Sequence, residues 1–412
     1  MHKLNRALLA SGLLLIGLNL RIGVASVGPV LSQIQADTGL SETAVGLLTT
    51  IPVFAFGAFA FLTPPLIRRF GMHKLLGLTM IVLAAGIALR LAPAMPALFV
   101  GTIIVGAAIA IGNVVMPAAI KSDFAHRAGL MMGLYSTALF VGAAIASGLT
   151  VPLLPVLGNS WRAALAIWAL PALLACVLWL PQVFRTNSPK TSKISDAPAA
   201  PSPSSPSRQP SYLRAMFQDR VALAVTAFMG IQSTSYYIAL TWVPTMLQDA
   251  GMDATRAGWM LSFSAFPGIA GALLTPPLAK RFKSPWVPVL ASIALPVMAY
   301  LGLALAPVSK PYLWMTLLGL GQGVAISLAL SYIVWRSANA AMTGQLSTMA
   351  QGTGYLFAGL GPIGIGALYA ATGGWTVPFL ALGALLVLQL LMGLVACQDR
   401  YVLEGSTQTA TV

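Results

Sequence analysis

Of 412 residues, 58% are hydrophobic and 8% charged, against about a quarter charged in a soluble domain, so a soluble globular protein is excluded. The formal net charge of +14 would suit a nucleic-acid partner, but the basic residues lie in short clusters between apolar stretches, which reports orientation in a membrane instead. Cys176 and Cys397 sit in or at the end of apolar stretches and give neither a disulfide framework nor a metal site.

A helix needs about 20 apolar residues to cross a bilayer, and twelve segments qualify. Span 1 covers roughly residues 7–33. The preceding MHKLNR gives it the look of a signal peptide, but it is too long, holds Arg21 and has no convincing cleavage site, so it reads as a retained helix. Arg21 stands near its middle, where a charge costs roughly 2.5–3.5 kcal/mol on insertion scales. Span 2 covers roughly 42–67, span 3 75–92 with Arg90 toward its end, and span 4 97–120 with Asn113 and Pro117. Spans 5 and 6 cover roughly 129–154 and 161–183.

The stretch 185–220 breaks the pattern. Its TNSPKTSKISDAPAAPSPSSPSRQPS is rich in Pro and Ser, lacks periodicity and reads as a flexible linker. Spans 7 to 12 follow at roughly 221–247, 255–279, 286–305, 312–335, 343–370 and 375–396. Of the nine tryptophans, only Trp168 lies well inside a span, as an interfacial belt requires. Most of the 23 Lys and Arg fall at one end of the spans, and only Arg90, Arg162, Arg256 and Lys310 map to the other, with Arg21 inside. By the positive-inside rule the rich end is cytoplasmic, and an even number of spans places both termini there.

The two blocks of six spans repeat. FLTPPLIRRF at 61–70 matches LLTPPLAKRF at 273–282, and Asp37-Thr38-Gly39 matches Asp249-Ala250-Gly251 at the same offset. Lys121 pairs with Arg336, Gly129 with Gly344 and Trp161 with Trp375 at an offset only two or three residues larger. Six spans separate the copies, so the halves run parallel about an axis along the membrane normal, the plan of the major facilitator superfamily. The expected fold is an all-α integral membrane protein with an N-terminal half over 1–184, a linker over 185–220 and a C-terminal half over 221–412.

Several segments resemble the cyanate and 2-nitroimidazole permeases of that superfamily: NLRIGVASVGPVL (19–31), GLLTTIPVFAF (46–56), GIALRLAP (86–93), IGNVVMPAAIKSDF (111–124), YSTALF (135–140) and MAQGTGYLFAGLGP (349–362). The likeness covers the whole chain and is nearer the 2-nitroimidazole exporters. PLIRRFGMHK (65–74) departs from the general superfamily motif G-x-x-x-D-R-x-G-R-K. With Gly71 set on the motif's second glycine, Arg68 falls where its Asp would stand, so the resemblance does not carry over the Asp-mediated latch other facilitators use between their halves.

The resemblance implies that spans 1, 4, 7 and 10 line a central cavity, near the midplane where such carriers bind substrate. Span 1 offers Asn19 and Arg21, span 4 Asn113, span 7 Gln232, Ser233, Ser235, Tyr236 and Tyr237, and span 10 Gln322 and Ser327. Spans 5 and 11 add Tyr135, Ser136, Gln351 and Tyr355, and span 3 adds Arg90. The always-protonated fork of Arg21 suits a carboxylate-like, nitro or cyanate-type acceptor, and tyrosines supply hydroxyls and a stacking face. Each reading has a plain rival: capping of carbonyls freed by Gly23, Gly28 and Pro29 for Arg21, outward snorkelling for Arg90, and glue between helices for Asn113, Gln322 and Gln351. Tyr236 and Tyr237 are adjacent and diverge by about 100°, so only one is expected to face the cavity.

All nine acidic residues, and His2, His73 and His126, map to loops or span ends, so a buried proton relay has no evident carrier. The expected function is secondary transport of a small polar or anionic nitrogen compound across a bacterial inner membrane, with efflux or a facilitated pathway favoured. Alternatives are a multidrug exporter and a non-transporting membrane sensor. With no nucleophile–base pair, metal cluster or nucleotide-binding loop, the chain is not expected to be an enzyme or to need a cofactor. Its partners are a small molecule and membrane lipids, not nucleic acid, and it is expected to be a monomer.

Overall fold

The computed structural model describes residues 2–184, 212–281 and 284–404. Eleven helices there are long and apolar enough to cross a membrane, and one bent pair supplies a twelfth span. The predicted spans appear in order, with no strand among the described residues. Residues 185–211, most of the predicted linker, lie outside the described residues. The end of the 185–220 segment carries a short helix, Leu213–Met216, with Met216 fully buried.

Short polar side chains start the helices. Ser41, Ser160, Asp219 and Asn339 each accept from the backbone N–H three residues on, satisfying a donor the helix leaves open. Span 1 is not one rod. Helix His2–Ala25 ends, a 3-10 turn covers Gly28–Val30, and Leu31–Thr38 continues to the far end. Gly39 closes it in the left-handed region at φ 66°, which glycine adopts without steric cost.

The repeat is visible in contacts as well as letters. Trp161 Nε1 donates to Asp37 Oδ2 at 2.9 Å, and its counterpart Trp375 Nε1 donates to Asp249 Oδ2 at 2.8 Å. Each half thus ties the end of its first span to the start of its sixth. Arg162 adds an ion pair to Asp37 at 2.8 Å and lies 4.1 Å above the Trp161 ring.

One repeated motif folds in two ways. In span 2 the helix breaks before Thr63-Pro64-Pro65, and the pieces Ala44–Ala60 and Thr63–Phe70 meet at 59°. In span 8 the matching Thr275-Pro276-Pro277 lies inside the unbroken helix Ala254–Arg281. Pro276 has no N–H, which frees the carbonyl of Ala272, and Ser327 Oγ of span 10 donates to that oxygen at 2.9 Å. At the repeat offset of span 4, the counterpart of Ser327 is Gly112, which has nothing to donate.

The halves touch mainly at the end bearing the Lys and Arg clusters. One apolar core runs across both there, from Leu13 and Met116 to Phe228 and Met349. Small residues let helices meet: Gly57 lies on Leu356, Gly352 on Phe61, Gly133 on Pro276 and Gly129 on Trp335. Lys121 Nζ reaches across to the carbonyl of Val334 at 3.1 Å. Toward the other end the core divides into two clusters, one in each half. The molecule is a wedge, closed at its basic end and parted at the other.

Candidate functional site

Where the halves begin to part, Arg21 projects from span 1 into a narrow cavity that is open on one side. The walls are Leu139, Phe140 and Ala143 of span 5, Gln232, Ser233, Tyr236 and Tyr237 of span 7, Gln322 and Ile326 of span 10, and Tyr355 of span 11. Both halves therefore contribute. Arg21 Nη1 donates to Tyr237 Oη at 3.3 Å, longer than a charge-assisted hydrogen bond prefers, and Tyr355 takes a second contact, so two phenols leave part of the five-donor fork uncommitted. The ion pairs among the described residues are His73–Asp123, Arg162–Asp37 and Arg336–Asp399, all at span ends. None involves Arg21.

Of the predicted residues, the structure brings Arg21, Gln232, Tyr236, Tyr237, Gln322 and Tyr355 together. The expectation that only one of Tyr236 and Tyr237 faces the cavity is corrected: both line it, their rings 5.4 Å apart and edge to face. Span 7 presents 232, 233, 236 and 237, an arc wide enough to hold neighbours about 100° apart. Long aromatic side chains close the remaining angle.

Five predicted residues point elsewhere. Asn19 Nδ2 donates to the carbonyls of Leu15 and Pro171, fastening span 1 to span 6. Arg90 is fully buried instead of snorkelling outward, and its Nη1 donates to the carbonyl of Gly23 at 2.8 Å. The carbonyl-capping role weighed for Arg21 is thus filled by Arg90. Asn113, Tyr135 and Gln351 form a buried network: Tyr135 Oη donates to Asn113 Oδ1 at 3.0 Å, and Gln351 Nε2 donates to the Asn113 carbonyl at 2.8 Å and Ser347 Oγ at 2.9 Å. That carbonyl is available because its helical donor would be residue 117, a proline.

Gln351 belongs to the C-terminal half and Asn113 to the N-terminal half, so the network joins the halves one helical turn from Tyr355. Two other polar candidates are also used locally. Ser235 Oγ lies 3.5 Å from Tyr300 Oη, and Ser136 Oγ donates to the Met132 carbonyl. The apolar walls Leu139, Phe140, Ala143 and Ile326 gave no sequence signal, because an apolar residue facing a cavity reads like one facing lipid. Tyr135 at the head of YSTALF marked the right segment and the wrong end of it.

The comparisons with known proteins agree with this architecture. Residues 13–362 match the family model of the Major Facilitator Superfamily. The chain is 37% identical over 403 residues to the uncharacterized transporter YycB of Bacillus subtilis (strain 168), covering 97% of this chain and 96% of the relative. Identity is 34% to the 2-nitroimidazole transporter of Escherichia coli (strain K12), over 96% of this chain and 97% of that protein. It is 31% to the cyanate transport protein CynX of the same organism, over 92% and 94%. The proton:xylose symporter XylE shares the fold, with a TM-score of 0.68 at 14% identity over 98% of both chains. The chain is a multi-pass membrane protein and a secondary transporter, not an enzyme, and it belongs to the major facilitator superfamily, in the branch of the 2-nitroimidazole and cyanate transporters.

Proposed function

We propose that the protein moves a small polar or anionic nitrogen compound, a nitroimidazole or a cyanate-like anion, by alternating access around Arg21. The observation that carries this is a guanidinium set in a mid-bundle cavity between the halves, held by the hydroxyls of Tyr237 and Tyr355 and outside every ion pair among the described residues. A charge at such depth without a protein counter-charge marks a functional site, and Arg21, unlike the sealed Arg90, faces open space. Tyr236, Tyr237 and Tyr355 offer flat faces and hydroxyls beside it. The relatives named for 2-nitroimidazole and cyanate support the same chemistry.

Orientation and direction follow from charge. With the basic end cytoplasmic in a bacterial inner membrane, the cavity opens away from the cytoplasm. An anion entering an inside-negative cell works against about 2.3 kcal/mol per 100 mV. Among the described residues no carboxylate or imidazole lines the cavity to carry a coupled proton. Outward movement of an anion, or passage of a neutral compound, needs none, so efflux or facilitated passage is the favoured mode.

Purified protein in liposomes tests this through flux of 2-nitroimidazole and cyanate. A charge-assisted hydrogen bond contributes about 1.5–3 kcal/mol, so Arg21→Ala is expected to cut flux roughly 10- to 100-fold, with partial recovery in Arg21→Lys. Unchanged flux in a folded alanine variant would overturn the proposal.

A further inference from the structure

Gln322 stands in the run Gly319-Leu320-Gly321-Gln322-Gly323. A Cβ at Gly319 would collide with the Ser264 carbonyl and Pro267, one at Gly323 with the Gly268 carbonyl, and one at Gly321 with Pro296. Span 10 is therefore pressed against the backbone of span 8 and the Pro296 ring of span 9, and the residues flanking Gln322 have no side chains to offer it. The side chain is 8% exposed, lines the cavity, and its Nε2 has no hydrogen-bond partner. Gln232, the other amide in the wall, differs: its Nε2 donates to Ser233 Oγ at 2.8 Å.

A buried donor left unmet is costly, and a ligand acceptor removes that cost. The cavity then has two uncommitted donors, the free part of the Arg21 fork on the N-terminal half and the Gln322 amide on the C-terminal half. Between them stand flat surfaces: Phe140, Tyr355, and the Tyr236 and Tyr237 rings, which meet at 79° and form a corner.

Resting on the transporter reading above, the geometry points to Gln322 as the residue that selects the cargo. The class it selects is a flat ring bearing two hydrogen-bond acceptors on separate edges, one taken by Arg21 and the other by Gln322. A compound with one acceptor engages one half. A compound with two ties the halves together, and so couples binding to their relative motion.

Two matched pairs of probes isolate the second acceptor: 4-nitropyridine against nitrobenzene, and isonicotinate against benzoate. Within each pair the ring nitrogen is the main difference. Calorimetry on the full-length protein in detergent is expected to show a preference of about tenfold for the two-acceptor member, the size of one buried hydrogen bond. Gln322→Leu is expected to bring both ratios toward one while leaving nitrobenzene and benzoate within twofold of wild type. Gln322→Glu, which keeps the shape but replaces the donor with an acceptor, is expected to lose the preference too. In liposomes the change appears in KM for the two-acceptor compounds.

Equal affinities within both pairs for wild type, or no binding of any probe, would overturn the assignment. Equal weakening of all four probes by Gln322→Leu would also overturn it, since that marks a packing role. Arg21→Ala separates this from the broader reading. If it abolishes flux while the acceptor preference is absent, only the role of Gln322 fails; if flux survives, the transport site itself has been misplaced.

Discussion

Arg21 and Arg90 are both arginines in apolar spans, and their neighbours in sequence do not distinguish them. What separates them is one backbone oxygen. The first helix of span 1 ends at Ala25, and Val27 N–H bonds to the Val24 carbonyl, so the Gly23 carbonyl is open to a donor. Arg90 supplies it, at the negative end of a helix dipole, which suits a cation. Arg21, two residues before Gly23, finds only the phenols of Tyr237 and Tyr355. The two should therefore fail in opposite ways. Arg90→Ala is expected to lower unfolding stability by about 1–3 kcal/mol, leaving a buried carbonyl unpaired, with ligand affinity within twofold of wild type. Arg21→Ala is expected to leave the thermal midpoint unchanged or higher, because binding residues trade stability for function, and to lose the ligand. Thermal unfolding and calorimetry on the same preparations read both. The cost of Arg21 in a membrane was legible from its position alone. The role of Arg90 was not, because it depends on where another helix stops.

Between helices, prolines decide which carbonyls are free and neighbours decide how each is met. Ser327 meets the one freed by Pro276 within the C-terminal half, and Gln351 meets the one freed by Pro117 across the halves. The second bond joins the two halves. While the basic end is closed, removing Gln351 leaves the Asn113 carbonyl buried and unpaired, at about 1–3 kcal/mol. Opening that end lets water reach it, so the cost falls on the closed state alone. Gln351→Leu should thus shift the population toward opening at the basic end. A cysteine at Gly344, in a protein lacking Cys176 and Cys397, is expected to react with a maleimide about fivefold or more faster in that background. Adding Pro117→Ala restores the helical N–H and is expected to slow labelling again. Unchanged labelling in Gln351→Leu would show that the bond does not hold the halves. The polar residues of this network were visible in the sequence, but a residue facing a cavity and one facing a neighbouring carbonyl share the same pattern.

Across the whole molecule, a shared core at one end and two separate cores at the other describe a carrier closed at one end and parted at the other. A Cβ at Gly344 would lie 3.7 Å from that of Ala118 in the other half, within the range a disulfide spans. Ala118→Cys with Gly344→Cys, in a protein lacking Cys176 and Cys397, is expected to cross-link under mild oxidation and stop flux. Reduction should restore flux, and ligand binding should persist in the cross-linked form. Failure to cross-link would place the contact between halves elsewhere. The sequence by itself determined the membrane class, the twelve spans, the twofold repeat and the isolation of Arg21, because each follows from hydrophobicity, charge or self-similarity along the chain. Tertiary structure alone decided that Tyr236 and Tyr237 both reach the cavity, that Gln322 has no partner while Gln351 is bound, and that one Thr-Pro-Pro motif bends its helix while its copy does not. Those outcomes turn on whether a particular donor, acceptor or small residue on another helix comes within about 3 Å, and no local pattern encodes that distance.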